Sequence, residues 1–395
     1  MNALLITPEV KPQIRVAKKS GNMSNAQLID CTLIGEKLLN DSVKVLVLDA
    51  FHRMEIFRFP ESIYHKESLK SYLEIIPLYD RLFDALLDIL ERAEFITIEN
   101  NKITVSPEID NPELKDEIRF LKATEGTYLT ENFMIYQFIR PNIKLVNACI
   151  SALPSILTGK KTYLEVMFPA GDMSLVADIY KGCIQTYLND SVAEQVKELV
   201  AQKLQKNPNA QIQLLEVGAG TGGTTAIVLA EIQAYQPNVK FWYTDIAAGF
   251  TRVGRREFAA KYPFMEFKAL DISKNPTEQG FISEDFDIII CNNVLHATSD
   301  IETCILNAGV LLKQGGQIVI NDLTKRLDFN TITFGLTKDW WNFQDLSLRV
   351  KHAPVLTNVQ WKESLQALSF SNIEINSIED LSPEDYHQSI IIAQK

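Results

Sequence analysis

The sequence predicts an α/β protein with a Rossmann-like, doubly wound sheet of seven strands, and two observations predict it. Downstream of Gln211, short apolar runs alternate with helical patterns, as expected for a parallel sheet with helices on both faces. The first of these runs leads into the glycine-rich stretch LLEVGAGTGGTT (214–225), and a helix is predicted after it. Because the ligands of such sheets gather at the carboxyl ends of the strands, we expect the functional site there.

Seven runs have the length and composition of strands. Helices are predicted between them, among them Thr224–Gln233 and Asp300–Leu312, and Gly315 is expected to end the second helix. The predicted strands are Gln213–Val217, Val239–Asp245, Met265–Ala269, Phe286–Cys291, Gly316–Asn321, Ile373–Ser377 and Ser389–Ala393.

The chain before this sheet is predicted to be mainly helical. Leu82–Arg92 has apolar residues at helical spacing, and Phe95–Val105 follows as a hairpin, so the two together resemble a winged-helix element. Ser191–Leu204 is predicted as a helix that begins with a capping box of Ser191 and Glu194. We therefore expect a linker or arm at 1–25, an N-terminal helical lid subdomain at 26–205 and a sheet domain at 206–395.

Composition excludes several classes of function. Lys and Arg total 39 against 50 Asp and Glu, which gives a net charge of −11 and disfavours binding to nucleic acid, because that affinity rests on neutralising phosphates. The five cysteines and five histidines show no spacing typical of metal ligands. No apolar run reaches the roughly 18 residues of a membrane span, and no signal peptide is evident. We expect a cytoplasmic protein without a metal, nucleic-acid or membrane partner.

The glycine run predicts a nucleoside-binding turn, because glycine permits positive φ and a close approach of a ligand to the backbone. Gly218, Gly220 and Gly223 match the dinucleotide fingerprint, so an NAD-dependent dehydrogenase is one interpretation. Glu216 suits an ammonium group better than a pyrophosphate. With Gly222 the spacing becomes Glu-x-Gly-x-Gly-x-Gly, which resembles that of S-adenosylmethionine (SAM)-dependent methyltransferases. A tight strand–helix turn without a ligand is the remaining interpretation.

Further nucleoside contacts are predicted at the ends of the second and third strands. Asp245 ends the second strand, where a carboxylate can accept hydrogen bonds from two ribose hydroxyls. After the third strand, Asp271 is a candidate for the adenine amino group and Ile272 for packing against the ring. The other predicted cofactor-binding residues are Ile246, Asn292, Asn293 and Tyr187.

Catalytic chemistry is predicted where the fourth and fifth strands end. His296 follows the fourth strand and Asp322 follows the fifth, and neighbouring strands lie about 4.8 Å apart, so the two side chains can meet. A carboxylate that orients an imidazole makes a general base, so the pair is predicted to be catalytic. The other interpretation of His296 is a structural histidine of the core.

Five separated strings resemble the methyltransferase domains of modular polyketide synthases, from about Leu82 to the C-terminus: YLEVMFPAG, LLEVGAGTGGTT, FWYTDIAAGF, NNVLHAT and FGLTKDWWNFQD. The resemblance implies SAM as the cofactor and methylation of the α-carbon of a β-ketoacyl chain carried on an acyl carrier protein. Neighbouring synthase domains are the further partners that it implies. Tyr180 and Tyr187 then lie where a helical lid approaches the cofactor, and Trp340 and Trp341 wall the acyl tunnel.

The same resemblance assigns the catalytic pair. His296 falls on the histidine of the family, and Asp322 falls on its glutamate. Because Asp is one methylene shorter, we expect it to reach His296 only through a water molecule or a shifted backbone. Asn293 is a candidate donor to the β-ketone oxygen. The Asp leaves room for an O-methyltransferase acting on a β-hydroxyacyl chain. A non-catalytic methyltransferase-like domain is a separate alternative.

Overall fold

The computed structural model of the protein describes residues 25–124, 133–179, 183–376 and 387–395. The chain forms two compact units. The first takes in the chain up to Ile184 together with Leu327–Trp341, and the second takes in Gln185–Arg326 and Asn342–Lys395. Tyr180 and the predicted arm, apart from Asn25, lie outside the described residues.

The first unit is mainly helical, as the apolar spacing upstream of the sheet predicts. The helix predicted at Leu82–Arg92 is present and begins two residues earlier. In chain order the unit contains α1 (Asn25–Arg53), β1 (Ile63–His65), α2 (Lys66–Tyr72), α3 (Asp80–Arg92), β2 (Ile96–Glu99), β3 (Lys102–Val105), α4 (Pro112–Thr124), α5 (Phe133–Leu157), α6 (Tyr163–Met167) and α7 (Ser174–Ala177).

A small antiparallel sheet lies in this unit, in the order β1-β3-β2. The hairpin predicted at Phe95–Val105 is its β2–β3 pair, and Asn100 and Asn101 turn the chain with φ of 49° and 66°. Positive φ at two successive residues is the geometry of a tight hairpin turn, which Asn tolerates. Strand β1, which the sequence analysis did not predict, pairs with β3. The likeness to a winged helix stays a prediction.

The second unit holds the large sheet. Helix α8 (Cys183–Lys206) leads into it, and α12 (Asp328–Ile332) interrupts it as a segment of the first unit. Its elements are β4 (Ile212–Val217), α9 (Gly223–Ile232), β5 (Val239–Asp245), α10 (Ala248–Phe258), β6 (Met265–Ala269), β7 (Phe286–Asn292), α11 (Ile301–Leu311), β8 (Leu312–Leu323), then, after α12, α13 (Asn358–Ala367), β9 (Ser371–Asn376) and β10 (Gln388–Gln394).

The seven strands of this sheet follow the order β6-β5-β4-β7-β8-β10-β9. All seven coincide with predicted strands, and β5 and β6 have the predicted bounds. The strands from β6 to β8 pair in parallel, whereas β10 is antiparallel to both β8 and β9. The parallel arrangement expected from the alternation of strands and helices therefore holds from β6 to β8, and β10 departs from it. The eleven residues 377–387 between β9 and β10 are fewer than the dozen or so that a parallel crossover needs.

Two local expectations are wrong. The helix predicted to begin at Ser191 begins at Cys183, and the Ser191 hydroxyl donates to the Tyr187 carbonyl at 2.9 Å inside the helix instead of capping it. Gly315 does not end α11, which stops at Leu311; with φ of 74° it lies in β8, where the pairing with β7 is irregular. The apolar face predicted for α8 is nevertheless buried: Val192, Val196, Leu199 and Val200.

The compact units do not follow the boundary expected at residue 205/206. From Gln185 onward α8 belongs to the second unit, where Asn189 Oδ1 accepts a hydrogen bond from the Thr224 hydroxyl. Lys197 also forms an ion pair with Glu231 of α9 at 2.6 Å. These bonds join α8 to α9 within the second unit.

The segment Leu327–Trp341 lies downstream of that expected boundary but belongs to the first unit. There Asn40 Oδ1 accepts the backbone N–H of Asp328 at 2.6 Å, and Arg92 forms an ion pair with the Asp328 carboxylate at 2.8 Å. What each unit contributes to function stays a prediction.

Among the described residues, no helix is long and apolar enough to cross a membrane. The described part of the chain also contains no group of three or more His, Cys, Asp or Glu residues placed to hold a metal ion. Four described cysteines are buried as free thiols: Cys31, Cys149, Cys291 and Cys304.

Candidate active site

The glycine loop after β4 turns the chain through left-handed conformations, with φ of 66° at Gly218 and 56° at Gly220. A Cβ at Gly218 would lie 2.4 Å from Val294 Cγ2, so this position must be glycine for the loop after β7 to pack against it. A Cβ at Gly220 would meet only the Gly218 carbonyl oxygen, at 3.9 Å, among the described atoms. Gly220 therefore faces open space through which a ligand can reach the backbone.

Glu216 lies on β4 just before this loop and is 2% exposed. Its Oε2 accepts the Thr225 hydroxyl at 2.5 Å. Burial raises the pKa of Glu216 to about 7; the bond from Thr225 lowers it, and the nearby Asp245 carboxylate raises it. A positive group beside this carboxylate would favour its charged form.

Asp245 ends β5 and connects that strand to the glycine loop. Its Oδ2 accepts the Gly220 N–H at 3.0 Å, and its Oδ1 accepts the Ala247 N–H at 2.9 Å. The side chain is 6% exposed, while its neighbour Ile246 is 69% exposed. Each carboxylate oxygen retains a lone pair for a further donor, so two hydroxyl groups of a ligand can still bind.

Asp271 forms a turn after β6. Its Oδ1 accepts the backbone N–H and the hydroxyl of Ser273, at 3.1 and 2.5 Å, and its Oδ2 is 2.9 Å from Lys274 Nζ. Ile272 is buried in the core of the sheet, and its carbonyl accepts Asn307 Nδ2 at 2.7 Å. Both residues are therefore held rigidly beyond the end of β6.

His296 and Asp322 are in direct contact. His296 Nδ1 is 2.5 Å from Asp322 Oδ1, and the His296 backbone N–H donates to Asp322 Oδ2 at 3.0 Å. The Asp322 side chain is fully buried, whereas that of His296 keeps 16% of its surface exposed. A carboxylate accepts, so the ring proton lies on Nδ1 and the Nε2 lone pair is free to take a proton.

The expectation of a contact through water is therefore wrong, because Asp322 reaches His296 directly. The expectation of a shifted backbone stays a prediction. Strand β8 continues through Leu323, so Asp322 is still held by the sheet. The loop after β7 brings the backbone of His296 onto the same carboxylate, and the missing methylene is not needed.

A series of hydrogen-bonded polar side chains crosses the same edge of the sheet. Asn321 Nδ2 donates to Asn292 Oδ1 at 2.6 Å. Asn292 Nδ2 in turn donates to the Thr224 hydroxyl oxygen at 2.5 Å and to Asn189 Oδ1 at 3.1 Å. The ends of β7 and β8 are thereby tied to the start of α9 and to α8, which also carries the half-buried Tyr187.

Comparisons with known proteins, by sequence and by structure, both point to a methyltransferase domain. A family model described as a methyltransferase domain matches residues 215–318. Polyketide synthase PksR of Bacillus subtilis (strain 168) is 32% identical over 295 residues, which is 74% of this chain and 11% of PksR. The chain thus spans about a tenth of that relative's length.

Two solved structures match nearly the whole chain. The match to the DszA carbon methyltransferase has a TM-score of 0.81 at 29% identity, and it covers 95% of this chain and 94% of the DszA chain. The match to the CurJ carbon methyltransferase has a TM-score of 0.74 at 27% identity, and it covers 94% of this chain and 93% of the CurJ chain. The chain is a methyltransferase domain, and in sequence and structure it is similar to the methyltransferase domains of polyketide synthases. Its fold is that of the class I methyltransferases, and the interpretation as an NAD-dependent dehydrogenase is wrong.

The cofactor of this methyltransferase domain is SAM, and the residues of the glycine loop fit it. The open space at Gly220 admits a ligand to the backbone. Glu216 is a buried carboxylate of raised pKa that a cationic group would stabilise, and SAM carries both an ammonium and a sulfonium. Asp245 keeps acceptor capacity for hydroxyl groups, as a ribose requires.

The predicted acyl-tunnel residues of the methyltransferase domain lie in the first unit. Trp340 and Trp341 are buried, and the Trp341 indole N–H donates to the Gly335 carbonyl at 2.7 Å. The Trp340 ring stacks on Phe334 with centroids 6.2 Å apart. Their role at an acyl chain stays a prediction, as does that of Tyr180, outside the described residues.

Sequence reasoning missed Arg349, which holds the loop that carries His296. Its buried guanidinium donates to the carbonyl oxygens of His296 at 3.1 Å and Thr298 at 2.9 Å, and also to that of Pro354. Its Nε pairs with Asp345 at 2.7 Å. The i,i+4 spacing of this acid–base pair was the available signal, but such spacing also marks ordinary surface pairs. The His296 backbone is thus held through its N–H by Asp322 and through its carbonyl by Arg349.

Gln388, at the start of β10, was also missed. Its Nε2 donates to Asn293 Oδ1 at 2.8 Å and to Asn321 Oδ1 at 2.9 Å. The signal in the sequence was the pair Gln388-Ser389 directly before an apolar run. It points to this edge of the sheet only when β10 is known to lie beside β8.

Proposed function

We propose that this domain methylates the α-carbon of a β-ketoacyl chain carried on an acyl carrier protein, with His296 as the general base. The observation that carries the proposal is the direct contact of the His296 ring with the buried Asp322 carboxylate, at 2.5 Å. The similarity to DszA and CurJ, both carbon methyltransferases, supports carbon as the acceptor. The synthase context of PksR supports a carrier-bound substrate and neighbouring synthase domains as partners.

The chemistry of the pair follows from its geometry. Asp322 accepts a hydrogen bond from the Nδ1–H of His296, so the Nε2 lone pair of the ring points away from the carboxylate. Nε2 takes the α-proton, and the electron pair of the broken C–H bond becomes an enolate flanked by the ketone and the thioester. The resulting imidazolium is stabilised by the buried negative charge of Asp322. When bound, SAM supplies an electrophilic methyl group for this carbon nucleophile.

The roles proposed for the cofactor-binding residues follow from the hydrogen-bonding groups and surfaces that the protein leaves unused. Asp245 accepts from the ribose hydroxyls, Glu216 faces the ammonium group, and Gly220 gives access to the backbone, as proposed also for Gly218 and Gly222. Asp271 takes the adenine amino group, and the ring packs between Ile246 and Ile272. Asn292 and Tyr187 complete the cofactor side, and Asn293 donates to the ketone oxygen of the acceptor.

The shorter side chain of Asp322 does not favour O-methylation over C-methylation, because it contacts His296 directly. The test presents the domain with SAM and with acyl carrier protein loaded with either a β-ketobutyryl or a β-hydroxybutyryl chain. Mass spectrometry of the carrier then reads the gain of one methyl group. We expect a gain on the ketone alone. A gain on the alcohol alone would mean O-methylation, and no gain on either, with SAM bound, would mean a non-catalytic domain.

A further inference from the structure

Gln388 is fully buried, and its amide nitrogen makes two hydrogen bonds on the acceptor side of the site. One goes to Asn293 Oδ1 at 2.8 Å and the other to Asn321 Oδ1 at 2.9 Å. Both N–H groups of one amide are thus used, and both go to carboxamide oxygens of residues at the ends of β7 and β8. No described residue donates to Gln388 Oε1, which is buried. A buried polar group that is only half satisfied lowers stability, so packing alone does not account for a glutamine here.

The antiparallel insertion of β10 explains how Gln388 reaches this place. In the register of β10 with β8, Ser389 lies opposite Asp322 and Gln388 opposite Leu323. The first residue of β10 is therefore level with the last residues of β8, beside the loop that carries Asn293 and His296. A parallel strand in the same place would bring its other end to this edge.

The hydrogen bond from Gln388 to Asn293 fixes which way the Asn293 carboxamide faces. Its backbone is held in a left-handed conformation, with φ of 51°, and its N–H donates to the Asn321 carbonyl at 2.7 Å. Its carboxamide oxygen is occupied by Gln388. Because the oxygen faces Gln388, the Asn293 carboxamide presents its Nδ2 N–H groups, which are donors only, on its other side.

We propose that Gln388 is a positioning residue that fixes the Asn293 carboxamide with its N–H groups towards the acceptor. A donor held in this way complements an acceptor whose oxygen gains negative charge in the reaction. That is a β-ketone whose α-proton passes to His296 Nε2 while the C–H electron pair becomes the enolate. The inference rests on the proposed function and assigns to Gln388 and Asn293 the preference for a ketone over an alcohol.

The experiment uses the full chain and three variants. Gln388→Glu keeps the shape but removes the amide donors, so the Asn293 carboxamide is expected to turn its oxygen towards the acceptor. Gln388→Met removes both donor and acceptor without adding charge. Gln394→Glu is the matched control at the other end of β10, because Gln394 uses its Oε1 to accept Asn372 Nδ2 at 2.7 Å, and a carboxylate can keep that bond.

Two readouts are measured with acetoacetyl-pantetheine as the probe. The first is the kcat and KM of methyl transfer from SAM. The second is the exchange of the α-hydrogens for deuterium, followed by NMR without SAM, which reports enolisation alone. Loss of one oxyanion donor typically lowers kcat by about 100- to 1000-fold, and a turned donor should cost less. We expect kcat and the exchange rate to fall about 10- to 100-fold in Gln388→Glu and less in Gln388→Met, with KM and the Kd for SAM within about threefold.

The outcomes separate this inference from the function on which it rests. If wild type and Gln394→Glu both exchange and methylate while the Gln388 variants do so as fast, Gln388 has no positioning role. A change confined to SAM affinity, or a parallel loss of thermal stability and of SAM binding, would also overturn the inference, because a structural residue would behave in that way. If wild type itself neither exchanges nor methylates the β-ketoacyl probe, the proposed function fails first.

Discussion

The glycine loop and Asp245, at the centre of the proposed cofactor side, come from one stretch of chain, whereas the proposed acceptor side joins distant segments. Gly220 and Asp245, which share a hydrogen bond, are 25 residues apart. On the acceptor side, Gln388 bonds with Asn293 across 95 residues, and Arg349 bonds with His296 across 53. Segments that are close in sequence thus form the proposed cofactor side. A tertiary network, formed only when β10 and the later loops are in place, holds the proposed base.

The comparison predicts that the two sides can be damaged separately. Changes on the acceptor side should lower kcat but leave the affinity for SAM unchanged. Changes on the cofactor side should lower the affinity for SAM, and turnover should recover when SAM is saturating. A variant that moves both quantities together would break the division.

The largest effect is expected for Asp322→Asn. The amide places N–H groups where the carboxylate now accepts from the His296 backbone, its ring and Leu323, so the ring loses its orientation and its counter-charge. We expect kcat to fall by about 100- to 10,000-fold, the range over which general-base catalysis contributes. Asp285→Asn, in the loop before β7, is the control. Steady-state kinetics with a carrier-bound β-ketoacyl substrate measures the effect, and a loss of less than threefold would contradict the assignment of the base.

A smaller effect, in affinity, is expected for Asp245→Ala. This change removes the acceptor proposed for two ribose hydroxyls and also the bond to the Gly220 N–H. Two lost hydrogen bonds to a charged group, at about 1.5 kcal/mol or more each, weaken SAM by at least roughly 100-fold. Isothermal titration calorimetry gives the Kd. If the Kd of Asp245→Ala matches that of Asp285→Ala, the ribose assignment is wrong.

The smallest effect is a pH dependence carried by Glu216. Its pKa is about 7 because it is buried, so the carboxylate is charged above that pH and protonated below it. A cation that binds beside it prefers the charged form, so the affinity for SAM should fall as the pH is lowered. We expect the Kd to rise by roughly tenfold from pH 7.5 to 5.5. In Glu216→Gln the Kd for SAM should be higher at pH 7.5 and nearly constant over this range. If the Kd of this variant depends on pH as strongly as that of wild type, Glu216 does not contact SAM.

The strands of the large sheet were predictable because each is a short apolar run with turn residues at its ends. The left-handed glycine loop and the positions of Glu216 and Asp245 at strand ends followed from the same local pattern. These features depend on residues that are close in sequence, where propensity and spacing carry the information.

The acceptor side was predictable only in part, for physical reasons. His296 and Asp322 could be paired from the strand order, but their direct contact depends on how far β8 extends and on where the loop after β7 places one backbone N–H. The local signal at Gln388, a polar pair before an apolar run, does not show its role, because that role arises from the antiparallel insertion of β10. The prediction that a helix starts at Ser191 was wrong because the Ser191 hydroxyl donates to the Tyr187 carbonyl within the helix. A serine in any helix interior can form this bond.

In the proposed reaction, His296 removes the α-proton of a β-ketoacyl chain. This role is tested by comparing wild type, His296→Ala and His65→Ala, an exposed histidine of β1, for methyl transfer to a carrier-bound β-ketobutyryl chain at saturating SAM. We expect methylation at the α-carbon by wild type and His65→Ala. In His296→Ala we expect kcat to fall about 100-fold or more, with the Kd for SAM within about threefold of wild type. Undiminished turnover by His296→Ala would show that His296 is not the base.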